Sequence, residues 1–145
     1  IENQITAANR LGMGIALIMA DIDNFKQVND THGHQVGDYV LAKYADILRT
    51  HIRATDHAFR YGGEEFLLLL YGVDSKTTMN IAERTRLQLQ NQDFECNGLT
   101  LNITSSFGIS IYSPLHSMDS NTLIELEDKN LYKAKEQGRN RVIME

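Results

Sequence analysis

The sequence predicts an α+β domain with a central, mostly antiparallel sheet flanked by helices. Apolar runs of about four to eight residues alternate along the chain with longer stretches of helical periodicity. A single proline, Pro114, interrupts this alternation. The 145 residues are 42% hydrophobic and 23% charged, which suits one globular domain with one core. We therefore expect a single domain over residues 1–145.

The first strands are predicted from two continuous apolar runs. Residues 16–20 (ALIMA) and 66–70 (FLLLL) have the character of strands buried on both faces. The Gly62-Gly63 pair precedes the second run, and we expect glycine to supply the positive φ of a tight hairpin turn there. Residues on either side of that turn are therefore predicted to form antiparallel neighbouring strands.

Helical and alternating periodicities predict the remaining elements. The predicted helices are residues 40–52, 81–89 and 121–137. The further predicted strands are residues 103–111 and 141–144. We expect the last helix to end at Gly138, because glycine is common directly after a helix C-terminus.

The charge and cysteine content exclude several classes of protein. A net charge of −5 and a pI near 5.5 argue against a broad nucleic-acid-binding surface, so a phosphate ligand requires a local basic cluster. A single cysteine, Cys96, cannot form an internal disulfide, which favours the cytoplasm. No apolar stretch approaches the roughly 20 residues of a bilayer span, so we expect no membrane contact by this domain. Because the chain begins without Met, we expect it to come from a longer sensory, and in part membrane-anchored, protein.

Four carboxylates at predicted strand ends suggest a metal site. Asp21 and Asp23 are two apart, so both side chains leave the same face while the strand continues, and a shared cation is one interpretation. Glu64 and Glu65 follow the glycine pair and reach Asp21 if the two strands are neighbours. Hard oxygen ligands without cysteine favour Mg²⁺ or Mn²⁺ over zinc. The alternative is that these are solvated carboxylates at strand ends.

Polar residues elsewhere in the chain suit a nucleotide. Lys26 lies at a predicted helix start, where backbone N–H groups and a cation favour phosphate. Asn29 and Asp38 offer an amide and a carboxylate for the edge of guanine. Lys135 and Arg139 add positive charge around the end of the last helix, although helix capping is an equally good interpretation of this pair.

Four segments together resemble the diguanylate cyclase (GGDEF) domain family. They are residues 21–30 (DIDNFKQVND), 33–38 (GHQVGD), 60–66 (RYGGEEF) and 131–142 (LYKAKEQGRNRV). The segments occur in the family's order and cover nearly the whole chain. The resemblance implies a ferredoxin-like palm related to that of nucleotide cyclases, and an enzyme that condenses two GTP molecules into cyclic di-GMP.

The resemblance also implies the roles of the carboxylates. Asp21, the backbone carbonyl of Ile22 and Glu64 would hold Mg²⁺ or Mn²⁺. Glu64 or Glu65 would help to deprotonate the attacking 3′-hydroxyl, and Lys26 would stabilise charge on the phosphates. The sequence does not divide the proton-accepting role between the two glutamates.

A further set of residues would bind the substrate by the same resemblance. It consists of Phe25, Lys26, Asn29, His34, Asp38, Lys135 and Arg139. Of these, Asn29 and Asp38 would recognise guanine, with His34 nearby, and Lys135 and Arg139 would bind the triphosphate. Because the family places one GTP in each of two facing domains, a homodimer is expected to be required for activity.

The segment before the GGEEF hairpin resembles the family's inhibitory product site. Arg53 and Asp56 form the R-x-x-D pattern that would bind cyclic di-GMP, with Arg84 contributing from a second domain. Two departures from the family stand out in the last helix, where Glu127 and Asn130 occupy positions that are usually alanine in the family. We expect them to loosen local packing without affecting the ligands.

A rival interpretation is a domain that has lost catalysis and serves as a receptor for GTP or cyclic di-GMP. The intact carboxylates and Lys26 argue against it. The family's upstream D-x-L-T-G-L-x-N-R segment is also absent from this chain, and a fragment without it is expected to be weakly active or poorly regulated.

Overall fold

The computed structural model describes residues 1–116 and 118–145. The helices are α1 (Glu2–Arg10), α2 (Phe25–His32), α3 (His34–Thr50), α4 (Ser75–Asn91) and α5 (Ser120–Glu136). The strands are β1 (Ile15–Ile22), β2 (His57–Arg60), β3 (Glu65–Tyr71), β4 (Asp93–Cys96), β5 (Leu99–Asn102), β6 (Ser105–Tyr112) and β7 (Val142–Met144). Within these residues, no helix is long and apolar enough to cross a membrane.

The main sheet has the strand order β2-β3-β1-β6-β7. Its neighbouring strands are antiparallel except for β6 and β7, which are parallel, so the predicted mostly antiparallel sheet is confirmed. Every residue of the central strand β1 is buried because helices cover both faces. Ala16 and Ile18 pack with α3 on one face, and Leu17 and Met19 pack with α1 and α5 on the other.

The predicted elements are confirmed with shifted ends. Helices α3 and α4 begin earlier than predicted. Their first turns are mostly polar, so the apolar periodicity did not include them. The true start of α4 is marked by its N-terminal cap, because the Asp74 side chain accepts a hydrogen bond from the Thr77 N–H at 2.7 Å. Strand β6 begins only at Ser105, after the start that alternation predicted. Helix α5 ends at Glu136, and Gly138 follows with φ +116°, as expected of a residue just beyond a helix.

The β2–β3 hairpin is confirmed, but the predicted reason for its glycines is wrong. Neither Gly62 nor Gly63 has a positive φ. Instead the N–H groups of Tyr61 and Gly62 both donate to the carbonyl of Glu65, at 2.8 and 3.2 Å, across a longer turn. A Cβ at Gly62 would lie 3.0 Å from the Glu65 side chain, so glycine here leaves space for that carboxylate.

A small hairpin of β4 and β5 was not predicted. Its two connecting residues are Asn97 and Gly98, with φ of +51° and +80°. Both angles are positive, which is the geometry that makes Asn-Gly a strong hairpin signal. The flanking strands have only four residues each, which is too short for their alternation of polar and apolar residues to reveal them.

Helix α5 packs unusually close to β6 and buries two polar side chains there. A Cβ at Gly108 would lie 2.3 Å from both the Glu127 carbonyl and the Leu131 nitrogen. Glu127 and Asn130 are both 0% exposed. Asn130 Nδ2 donates to the Ile109 carbonyl at 2.7 Å, whereas neither carboxylate oxygen of Glu127 has a hydrogen-bond partner among the described residues.

The environment of Glu127 favours its neutral form. Burial, followed by the charges of Asp128 and Glu65, raises the pKa of Glu127 from 4.5 to about 8. Below about pH 4.5 the folded and unfolded states both hold this proton. Between about pH 4.5 and 8 the unfolded state releases it while the folded state keeps it, so the free energy of unfolding falls as the pH rises.

We therefore predict that Glu127→Gln flattens the pH dependence of stability. The variant keeps the shape of the side chain but cannot ionise, so its stability relative to the parent should increase by about 2–4 kcal/mol between pH 5 and pH 8. Urea unfolding of both proteins at several pH values measures this difference. Glu125→Gln on the exposed side of the same helix is the control. Equal pH slopes for the parent and Glu127→Gln would show that the buried carboxyl does not titrate in this way.

Candidate active site

The site lies where β1 ends beside the β2–β3 hairpin. Asp21 is opposite Glu65 in the β1–β3 register, and the Ile22 N–H donates to the Glu64 carbonyl at 3.3 Å. The adjacency of these carboxylates, which the sequence could only suggest, is therefore present. It arises because the apolar runs of β1 and β3 pair along their whole length and bring their polar ends together.

Asp21 is a buried carboxylate paired with a lysine from the other end of the chain. Its side chain is 4% exposed, and Lys135 Nζ donates to Oδ2 at 2.9 Å. Burial raises the pKa of Asp21 to about 6. The hydrogen bond and charge of Lys135 oppose this rise, and the charges of Glu64 and Glu65 add to it. The site thus holds three carboxylates close enough to repel one another, which favours binding of a cation.

Asp23 has a different environment from Asp21. Its Oδ1 accepts from the Ser106 hydroxyl at 2.6 Å, and its Oδ2 accepts from the Thr104 hydroxyl at 2.7 Å and the Asn140 N–H at 3.0 Å. Both oxygens are therefore occupied by protein donors. This arrangement argues against the cation shared by Asp21 and Asp23 that their spacing suggested.

A pocket of about 490 Å³ gathers most of the predicted substrate-binding residues. Its lining consists of Phe25, Lys26, Asn29, His34, Asp38, Leu41, Arg60, Gly63 and Glu64. Six of these were singled out from the sequence as candidate site residues, and Gly63 was singled out as a turn residue. Leu41 and Arg60 were not, although Arg60 is the first residue of the RYGGEEF segment. Its Nε and Nη2 donate to the Gly63 carbonyl at 3.2 and 2.7 Å, which ties β2 to the turn.

The break between α2 and α3 fixes the shape of this pocket. Gly33, with φ +88°, separates the two helices, so Asn29 on α2 and Asp38 on α3 both face the same cavity. A Cβ at Gly37 would lie 1.8 Å from Asn29 Oδ1. The Asn29 amide can therefore pack against α3 only because residue 37 has no side chain.

Lys135 and Arg139 are separated by the end of α5. The helix stops before Gly138, and Arg139 has φ +65° with its N–H bonded to the Ala134 carbonyl at 3.0 Å. Lys135 points to Asp21, as described above. The Arg139 guanidinium makes no hydrogen bond with the part of the chain that the structure describes, so it remains available to a ligand.

The predicted product-site residues occupy a separate region. Arg53 Nη2 and Asp56 Oδ1 form an ion pair at 3.2 Å, and Asp56 Oδ1 also accepts from the Tyr71 N–H at 3.2 Å. A neighbouring pocket of about 430 Å³ includes Arg53 and Asp56 in its lining. Arg84 is not part of that lining; its Nε donates to His51 of the same chain.

The donor set at the end of β1 suits a hard divalent cation. Asp21 and the backbone carbonyl of Ile22 are oxygen donors at the end of β1, and Glu64 is an oxygen donor in the turn just before β3. Only two of them are side chains, and among the described residues no group of three or more histidine, cysteine, aspartate or glutamate side chains is arranged to hold a metal ion. The residues present are compatible with a cation that also takes oxygens from a substrate, as Mg²⁺ commonly does.

Sheet order and site together define a palm-like α+β domain with an acidic centre at the end of its central strands. A model of the family described as "Diguanylate cyclase, GGDEF domain" matches residues 1–141. The protein belongs to this family, and the resemblance noted in the sequence is confirmed.

Individual relatives agree with this assignment. Diguanylate cyclase A of Treponema denticola is 41% identical over 131 residues, which are 90% of this chain and 35% of that protein. The GGDEF domain of DgcB from Caulobacter crescentus, solved in complex with c-di-GMP, superposes with a TM-score of 0.91 at 31% identity, over 99% of this chain and 84% of that one. The active GGEEF domain of a diguanylate cyclase from Vibrio cholerae gives 0.89 at 33% identity, over 99% and 90%. The chain spans about a third of the length of the curated relatives it matches.

The contact between Gly37 and Asn29 leads to a test by double substitution. Gly37→Ala should lower the free energy of unfolding by about 1–3 kcal/mol, because the new methyl group overlaps Asn29 Oδ1. The same substitution in an Asn29→Ala background should cost clearly less, since the overlapping atom is gone. Chemical denaturation of the four proteins measures both values. Gly63→Ala, where the methyl group would enter open space, is the control for alanine substitution itself. An equal cost in both backgrounds would contradict the packing described here.

Proposed function

We propose that this chain is a diguanylate cyclase domain, which joins two GTP molecules into cyclic di-GMP and releases two pyrophosphates. One observation supports this most directly: Lys26, Asn29, Asp38 and Glu64 line a single pocket beside the buried Asp21 carboxylate. The curated relative named above, from Treponema denticola, is called a diguanylate cyclase.

Asn29 and Asp38 are proposed to recognise guanine. The Asp38 carboxylate accepts hydrogen bonds from N1–H and the 2-amino group, and the Asn29 amide donates to O6. Phe25 and Leu41 provide apolar surface in the same pocket. Since the amide of Asn29 packs tightly against Gly37, it is already oriented before a base enters.

The phosphates are proposed to meet three cationic side chains and the start of α2. Lys26 lies in the first turn of α2, where no side chain caps the helix in the described structure, so its first N–H groups are free for an anion. Lys135 and Arg139 are proposed to bind the triphosphate. For Lys135 this requires that its ammonium leaves Asp21 when a divalent cation takes up the carboxylate.

Asp21, the Ile22 carbonyl and Glu64 are proposed to hold Mg²⁺ or Mn²⁺. When bound, such a cation polarises the α-phosphate and lowers the pKa of the attacking 3′-hydroxyl. The proton of that hydroxyl passes to Glu64 or Glu65. Glu64 is the better placed of the two because it lines the nucleotide pocket, whereas Glu65 lies opposite Asp21 in the sheet.

Two copies of the domain are proposed to act together as a homodimer. Cyclic di-GMP is two-fold symmetric, and the pocket of each domain is proposed to hold one GTP. Each 3′-hydroxyl therefore attacks the α-phosphorus of the GTP in the partner, and facing domains reduce the entropic cost of that encounter. Arg53, Asp56 and Arg84 are proposed to bind the cyclic product as an inhibitor.

We predict that Glu64→Gln abolishes most of the synthesis of cyclic di-GMP. The amide neither accepts the proton nor replaces the negative charge at the cation site, so the rate should fall by about 100-fold or more. Incubation with GTP and Mg²⁺ at high protein concentration, followed by chromatography of the products, measures it.

Glu95→Gln, at an exposed position of strand β4, is a matched control and should retain the parental rate. Cyclic di-GMP from the parent and none from Glu64→Gln would support the proposal. A parent that binds GTP but forms no product, even when dimerised by a fused coiled coil, would instead favour the receptor function.

A second prediction concerns the recognition of guanine by Asp38. Inosine triphosphate lacks the 2-amino group, so it forms one hydrogen bond fewer with the carboxylate. Asp38→Asn should lower kcat/KM for GTP by about tenfold or more and should lower kcat/KM for inosine triphosphate much less. The ratio of the two kcat/KM values should therefore fall. Pyrophosphate release with each nucleotide measures both values. An unchanged preference would place guanine recognition elsewhere in the pocket.

A further inference from the structure

Arg84 is held by one side chain of its own domain, His51, which in turn contacts Gln88. The Nε of Arg84 donates to Nδ1 of His51 at 3.0 Å. Because a guanidinium can only donate, Nδ1 must be the unprotonated nitrogen of the imidazole ring. The other ring nitrogen, Nε2, faces Oε1 of Gln88 and therefore carries the proton that it donates. These two neighbours define a neutral His51 with its hydrogen on Nε2.

The position of His51 connects Arg84 to the predicted product site. Arg84 and Gln88 are four residues apart on α4 and thus lie on the same face of that helix. His51 is the residue that follows α3, two positions before Arg53. The imidazole therefore joins α4 to the segment that leads directly into the Arg53–Asp56 ion pair.

The bond to His51 leaves the outer end of the Arg84 guanidinium free. Arg84 is exposed, and its two terminal nitrogens have no hydrogen-bond partner among the residues described. Arg86 on the same helix is the opposite case, since its nitrogens donate to Glu83, Gln90 and Asn140. Arg84 is thus oriented by one nitrogen and presents the other two to solvent.

We infer that His51 is a positioning residue of the product-inhibition site, which holds Arg84 so that its terminal nitrogens can form paired hydrogen bonds with a phosphate or guanine of cyclic di-GMP. This inference rests on the product site assigned under the proposed function. Two parallel N–H donors match the geometry of phosphate oxygens and of the guanine O6 and N7 acceptors. With Nε already used, the ligand contacts the end of the guanidinium rather than its side.

The expected gain comes from order that exists before binding. An exposed arginine has many rotamers, and immobilising one such side chain on binding lowers affinity by a factor of about 2–10. Arg53 is already oriented by Asp56 and by the Tyr71 carbonyl, to which its Nη2 donates. With His51 in place, Arg84 is likewise oriented before the ligand arrives.

The test compares His51→Leu, which removes the acceptor, with His51→Asn, whose side-chain oxygen lies near the position of Nδ1. Calorimetry on the purified chain measures the affinity for cyclic di-GMP. His51→Leu should weaken binding about threefold to tenfold, and His51→Asn should stay within about twofold of the parent. In an Arg84→Ala background, His51→Leu should have no further effect. His116→Leu, an exposed histidine after β6, is the matched control, and thermal unfolding verifies that each variant folds.

If His51→Leu does not fold, Gln88→Leu replaces it, since it removes the partner that keeps the ring proton on Nε2. It should weaken binding in the parent and not in the Arg84→Ala background. Parental affinity in both variants, or the same loss with and without Arg84, would overturn the role of His51. The product site would then still stand if Arg53→Ala abolishes binding of cyclic di-GMP. A parent that fails to bind cyclic di-GMP would overturn the product site and this inference together, whereas loss of the cyclase function would appear separately in the assay with GTP.

Discussion

The burial of Asp21 at the end of the central strand is the constraint on which the site depends. A carboxylate that is 4% exposed is costly to ionise, and here Lys135, 114 residues away in the sequence, provides the opposite charge. The pair fixes the end of α5 over the end of β1. It also places a lysine where a divalent cation would be bound, so the same carboxylate serves the fold and, as proposed, the chemistry.

The two aspartates of the DID segment divide these tasks. Asp21 faces the glutamates of the hairpin, whereas Asp23 accepts hydrogen bonds from Thr104, Ser106 and the backbone of Asn140. Asp23 therefore fixes the turn that follows α5, and this turn includes Arg139. A substitution at Asp23 would act on substrate binding through the position of that turn, without any direct contact with a cation.

Much of the fold followed from hydrophobic pattern, because β1 and β3 are buried on both faces and nothing else in the chain has their continuous apolar character. Pattern was insufficient where polar residues determine the structure. The β4–β5 hairpin depends on the positive φ of Asn97 and Gly98, and the turn at Gly62 depends on space for a carboxylate rather than on backbone conformation. Residue types and spacing singled out most of the site residues, but their individual roles were predicted only through the family resemblance. Spacing alone could not distinguish Asp21 from Asp23, and it gave no sign that His51 contacts Arg84, since that contact depends on how α3 and α4 pack.

The most direct test of this account is the crystal structure of the protein with Mn²⁺ and a GTP analogue that cannot release pyrophosphate. Anomalous scattering locates the manganese independently of the model built for the ligand. We predict manganese about 2.1 Å from an oxygen of Asp21, guanine between Asn29 and Asp38, and Lys135 Nζ moved from Asp21 to the phosphates. Nucleotide in the pocket while Lys135 still bonds Asp21 and no manganese lies beside it would contradict the proposed cation site.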